Sequence, residues 1–149
     1  LTVSEVDDRE NLSRITIVTT GTPMVIEQIK AQLARLVPVY DVHDLTTEGS
    51  HLERELALIK VANTGEDRIE ALRIADMFRA RAIDSTLESF IFEMTGSTRK
   101  IDAFVDLMAA LGGVEVSRTG VVGIARGSRL DMPMSRSKVA GKKTRKRKI

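Results

Sequence analysis

The sequence predicts an α+β chain of two tandem ferredoxin-like βαββαβ sandwiches with antiparallel sheets, the first lacking its opening strand and helix. Three observations point there. Strand-like alternation and helix-like periodicity follow one another twice in the same order. The second pass is complete and spells strand-helix-strand-strand-helix-strand, the split βαβ arrangement. The interval from the start of the last helix to the start of the last strand is 16 residues in the first pass (Pro23 to Val39) and 17 in the second (Ser97 to Val114).

The elements follow in order. Leu1–Val6 is short and β-prone, and Asp7-Asp8-Arg9-Glu10-Asn11 is a polar turn. Leu12–Thr19 alternates, with Ile15 and Ile17 on one face and Arg14 and Thr16 on the other. Gly21-Thr22-Pro23 stops that strand and starts a helix, with Thr22 as N-cap and Pro23 in the first turn, where its missing N–H costs nothing. Val25, Ile26, Ile29, Leu33 and Leu36 then share one helical face. Pro38 ends the helix, and Val39, Val42 and Leu45 read as a further strand.

A polar bridge, Thr46–Arg54, leads to the second unit. Glu55–Ala62 is dense in Leu, Ile and Val and reads as a central strand. Asn63-Thr64-Gly65 breaks it, and Asp67–Arg79 reads as a helix with Ile69, Leu72, Ala75 and Phe78 inward. Two strands follow, Ala82–Leu87 and Ser89–Met94, the latter alternating Phe90, Phe92 and Met94. Ser97 caps a helix with the stripe Ile101, Phe104, Val105, Met108 and Leu111, closed by Gly112-Gly113. Val114–Arg118 is the last strand of the sandwich, and Gly120–Arg126 a final extended stretch. The expected organisation is a partial first domain over 1–45, a linker over 46–54, a second domain over 55–126 and a basic, disordered tail over 127–149.

Composition narrows the function. With one Tyr, four Phe and no Trp, the core must be aliphatic, and no apolar run is long enough to span a membrane. No signal-peptide pattern opens the chain at Leu1. Cysteine is absent, which excludes disulfides, thiolate metal sites and cysteine nucleophiles and fits a reducing, cytoplasmic setting. Residues 127–149 hold nine Lys/Arg and one Asp, a net of +8, so the rest of the chain carries −6 within an overall +2. The basic character belongs to the tail rather than to the folded body.

Chemistry-bearing motifs are few. The only histidines are His43 and His51, and neither neighbours a nucleophile elbow; dinucleotide and P-loop signatures are absent. Asp41-x-His43-Asp44 offers two metal ligands, but a histidine among acids at a strand end is more often solvated, so no metal site and no catalytic residue is assigned. Gly120-Val121-Val122-Gly123 lacks a following helix and marks a tight turn with a close backbone contact. The run Lys142–Lys148 would attract phosphates, yet it has no interleaved aromatics for stacking, so nucleic acid is not the expected partner.

Several strings together carry a family resemblance. Leu1-Thr2-Val3, Leu12-Ser13-Arg14-Ile15-Thr16-Ile17, Ile26-Glu27-Gln28-Ile29 and Gln32-Leu33-x-x-Leu36-Val37-Pro38-Val39 resemble the amino-acid-binding ACT domain of the acetolactate (acetohydroxyacid) synthase small subunit. Gly49-Ser50-His51-Leu52-Glu53-Arg54-Glu55-Leu56-Ala57-Leu58-Ile59-Lys60-Val61 resembles that family's domain junction. Ile101-Asp102-Ala103-Phe104 and Ser117–Gly127 continue the likeness.

The resemblance implies a regulatory subunit without catalysis of its own. It implies a homodimer through the ACT domains, a branched-chain amino acid (usually valine) bound between protomers, and docking on a large catalytic subunit. Thiamine diphosphate, FAD and Mg²⁺ are expected on that partner, with no cofactor on this chain. By the same resemblance Thr2 and Val3 lie at the effector site, whose main loop belongs to the strand and helix preceding Leu1. Glu48, Gly49, His51 and Arg54 are the expected contacts with the catalytic subunit, Glu48 standing where many relatives carry Gln. A free-standing amino-acid sensor of another enzyme and a nucleic-acid-binding protein acting through the tail stay open as alternatives.

Overall fold

The computed structural model describes residues 2–7, 12–36 and 38–131. In the first unit, β1 (Thr2–Asp7) and β2 (Leu12–Thr16) pair antiparallel, Val3 opposite Ile15, followed by α1 (Pro23–Arg35). The Thr22 hydroxyl accepts the Val25 N–H at 3.4 Å and so caps α1, as the Thr-Pro start requires. Ile26, Ile29 and Leu33 are half-buried along the expected stripe, but no residue of α1 is fully buried. Ile15 and Ile17 are likewise about half exposed (56% and 49%), so the apolar face of the hairpin is not closed over.

The strand expected over Val39–Leu45 does not form; residues 39–44 lie outside any strand, and a turn follows at 45–47. In a sheet of order 4-1-3-2 the fourth strand pairs with the first. The described residues of the first unit include no first strand, so the main-chain groups of 39–45 have no ladder to join.

The second unit is complete. Its elements are β3 (His51–Ala62), α2 (Glu66–Met77), β4 (Arg81–Ser85), β5 (Ser89–Gly96), α3 (Thr98–Ala109) and β6 (Gly113–Arg118), followed by β7 (Val122–Ala125). The sheet runs β4-β5-β3-β6, every pair antiparallel, and β7 adds to the first part of β3. That is the 4-1-3-2 order of a ferredoxin-like sandwich. β3 begins at His51, so four residues of the expected linker are strand, because β7 supplies them with a partner (His51 opposite Ala125, Arg54 opposite Val122).

Alternation along β3 buries Glu55, Ala57, Ile59 and Val61 under the helices and leaves Leu56, Leu58 and Lys60 outward. Phe92 and Phe104 meet edge-on at 5.9 Å between centroids, with Phe78 5.5 Å from Phe104. Ile101, Phe104 and Met108 of α3 are fully buried, as its stripe predicts. α2 differs from expectation. It buries Ala71, Ile74 and Ala75 and leaves Ile69 and Leu72 outward (64% and 45% exposed). Both stripes have helical spacing. Arg68, whose guanidinium lies 3.8 Å from the Phe90 ring centroid and bonds Ser85 and Ser89, accompanies the rotated face.

β4 ends at Ser85 rather than Leu87, since Thr86–Glu88 make the turn into β5 (Thr86 N–H to Ser89 O, 2.9 Å). All five β4 residues are exposed at the sheet edge, and its ladder slips between Ala82 and Asp84. Residues 127–131, expected to be disordered tail, fold back on the loop before β3: Arg129 contacts Asp131 at 3.1 Å and Glu48 at 3.7 Å. Residues 132–149, with the basic run, lie outside the described residues.

Candidate site at the junction between the two units

β3 is the element that positions the junction, because it changes neighbours along its length. Up to Arg54 it pairs with β7, and from Ala57 it pairs with β6. At the changeover sits Glu55, only 5% exposed. Arg118 Nε and Nη2 donate to its two carboxylate oxygens at 2.8 and 2.9 Å, and the Thr98 hydroxyl donates at 3.3 Å. Arg118 Nη1 also donates to Asp102 Oδ1 at 2.6 Å, so one guanidinium joins β3, β6 and α3. These hydrogen bonds from Arg118, then its charge, Thr98 and the Gly120 N–H, hold the Glu55 carboxyl below the usual range against burial, which pushes it up. Hydrogen bonds to Glu55 and Asp102 in turn raise the Arg118 pKa, so the pair stays ionised.

A second cluster lies in the loop before β3. His43 Nδ1 is 2.9 Å from Glu48 Oε2 and His43 Nε2 is 3.1 Å from Asp41 Oδ2. The Glu48 hydrogen bond, reinforced by the charges of Asp41 and Asp131, raises the His43 pKa against a smaller opposing effect of burial. Asp44 accepts from the Thr46 N–H (3.0 Å) and hydroxyl (2.6 Å) and fixes the turn, which lowers its own pKa. Both His43 nitrogens are thus engaged by carboxylates in a loop-ordering network. Among the described residues no group of three or more His, Asp or Glu side chains has metal-binding geometry.

The expected catalytic-subunit contacts come together here. Glu48 is held by His43, by the Asp44 N–H at 3.3 Å and by Arg129. Gly49 turns the chain with φ of +115°. His51 Nε2 meets Glu53 Oε1 at 2.9 Å, while Arg54 Nη1 donates to the Glu53 carbonyl at 2.7 Å. Thr2 reaches the same junction from the first unit, its hydroxyl donating to the Thr119 carbonyl at 3.1 Å. Val3, its neighbour, is 60% exposed. The Leu45 side chain packs where a side chain on Gly123 would stand, so the close approach expected there is made by a side chain rather than by backbone. A shallow cleft of about 290 Å³ between α1 and residues 40–42, lined by Glu27, Lys30, Tyr40 and Asp41 among others, holds none of the expected site residues.

Sequence reasoning missed the Glu55–Arg118–Asp102 cluster. The signal was available in part: a carboxylate opening a buried strand needs a cation, and Arg118 stands at the end of the neighbouring one.

Residues 54–127, from the changeover in β3 through the end of β7, match the family model described as the small subunit of acetolactate synthase. A probable acetolactate synthase small subunit of Archaeoglobus fulgidus is 43% identical over 122 residues, covering 82% of this chain and 76% of its own length. The chain belongs to the acetolactate synthase small-subunit family. The small subunit of acetolactate synthase isozyme 3 from Escherichia coli is 41% identical, covering 87% of this chain and 79% of that protein. The crystal structure of the acetolactate synthase small subunit of Thermotoga maritima superposes with a TM-score of 0.74 at 38% identity, over 86% of this chain and 79% of that one. The family likeness therefore extends over both units. No helix among the described residues is long and apolar enough to cross a membrane.

Proposed function

We propose that this chain is the regulatory subunit of an acetolactate synthase in branched-chain amino acid biosynthesis, without catalysis of its own. It docks on the large catalytic subunit, raises its activity, and transmits feedback inhibition by valine or another branched-chain amino acid. The observation that carries this reading is 43% identity over most of the chain to an acetolactate synthase small subunit. The reading places the protein in the cytoplasm and makes it a homodimer through its first units, with the amino acid bound near Thr2 and Val3. Thiamine diphosphate, FAD and Mg²⁺ belong in this reading to the partner, which condenses pyruvate with pyruvate or 2-oxobutyrate. Glu48, Gly49, His51 and Arg54 form the contact with that partner.

The physical requirement is linkage: the amino acid must bind two arrangements of the complex with different affinity, or it shifts nothing. A ligand bridging two first units meets this by changing how they sit on the second. The test is a titration of the catalytic subunit with the complete small subunit, reading acetolactate formation with and without valine. Activity rises several-fold and valine reverses the gain; a partner rate unchanged across the titration overturns the reading.

A further inference from the structure

Between the pairs Arg54–Val122 and Ala57–Arg118, β3 contributes two residues, Glu55 and Leu56. The chain opposite contributes three: Thr119, Gly120 and Val121. The extra residue makes a bulge at the changeover, and Gly120, with φ of +78°, supplies the backbone conformation that lets the chain pass from one ladder to the next.

Thr119 closes this bulge in an unusual way. Its N–H donates to the Leu56 carbonyl at 3.0 Å, as in an ordinary antiparallel pair. The return bond does not go to its carbonyl. The Leu56 N–H donates instead to the Thr119 hydroxyl oxygen at 3.1 Å, while that hydroxyl has two carbonyls in reach for its own proton, Gly120 at 2.8 Å and Leu56 at 3.3 Å. With the hydroxyl standing in, the Thr119 carbonyl is released from the ladder and accepts from Thr2 of β1.

We infer that Thr119 is a positioning residue that couples the first unit to the β3 arm, residues 51–54. This rests on the regulatory reading above. Hydroxyl and carbonyl of one residue are alternative acceptors for one N–H, that of Leu56. While Thr2 holds the carbonyl, the hydroxyl keeps the bulge. When β1 moves and Thr2 lets go, the carbonyl competes for the Leu56 N–H and the bulge relaxes toward a plain ladder, shifting β7 along the β3 arm. The junction therefore has two discrete arrangements, which a coupling element needs. Glu55 and Arg118 anchor the other side of the bulge, so the motion is directed into residues 51–54.

The experiment uses the complete small subunit with its catalytic partner and valine as the probe. Thr119→Val removes the hydroxyl and keeps the β-branched shape; Thr119→Ser restores the hydroxyl. Thr119→Ala is the second hydroxyl-free variant, should valine perturb folding, and thermal melts check all three. Thr119→Val and Thr119→Ala bind valine, by calorimetry on the small subunit, within twofold of wild type. Their half-inhibitory concentration in the assembled enzyme rises at least fivefold, and Thr119→Ser returns it to within twofold. An inhibition curve unchanged in both hydroxyl-free variants, beside a responsive wild type, overturns the inference alone. A loss of valine binding that accounts for the whole change overturns it as well. A wild-type enzyme that ignores valine, leucine and isoleucine overturns the regulatory reading together with the coupling.

Discussion

Glu55 keeps its charge in a place where an isolated carboxylate could not, because a bidentate guanidinium replaces the water it loses. Breaking such a pair leaves Arg118 without its main partner. Arg118 is 29% exposed and retains Asp102, so Glu55→Gln costs about 2–3 kcal/mol, less than the ~3–5 kcal/mol of a fully enclosed pair. The pH dependence follows from the lowered pKa. The folded value lies below the ordinary 4.5, so the contribution is complete above about pH 4.5 and is lost as pH falls through the folded value. Thermal melts of wild type and Glu55→Gln should lie well apart at pH 7 and converge in acid. A gap that is constant with pH would show that packing, not charge, is what the pair contributes. This residue marks where sequence reading stops. Position 55 is legible as the start of a buried strand, but a partner 63 residues away is fixed only by the strand order, which no local pattern encodes.

At the scale of elements, periodicity is a good guide for β5 and α3, which have partner elements on both sides. β5 buries Phe90, Phe92 and Met94 as its alternation implies, and α3 is capped by Ser97, whose hydroxyl accepts the Lys100 N–H. Residues 39–45 carry an equally strand-like pattern and form none, since a strand is a property of two chains in register rather than of one. α2 shows another limit: two helical stripes share Ala75, and the one that continues through Ala71 and Ile74 is buried. The turn from α3 into β6 depends on close approach. A Cβ on Gly112 would strike the Ala62 carbonyl oxygen at the end of β3, whereas one on Gly113 meets nothing within 4 Å. Gly112→Ala should therefore destabilise by about 2–3 kcal/mol through forced backbone movement, and Gly113→Ala by far less. Denaturant midpoints of the two variants measure the difference; equal midpoints would mean the turn shifts without cost.

At the scale of the whole molecule, stability is unevenly divided. Among the described residues, the twelve that form the buried core run from Ala57 to Met108, all in the second unit, while α1 buries nothing fully. A fragment of residues 50–131 should unfold cooperatively within a few degrees of the entire chain, because the contacts it forgoes, such as Thr2 to Thr119 and Leu45 to Gly123, lie at the surface. A non-cooperative melt of that fragment would show that the first unit carries part of the core. Uneven division suits a regulator, whose softer part can respond without unfolding the rest. The edge strand β4 has a separate consequence, for molecules that meet in a crowded solution. Five residues offer little length for a foreign strand to zip onto. The slip between Ala82 and Asp84 breaks the even row of donors and acceptors, and Arg81 and Asp84 place charge on either side of it. The β4 edge is thus a poor template for a strand of another molecule, whatever the concentration of the chain.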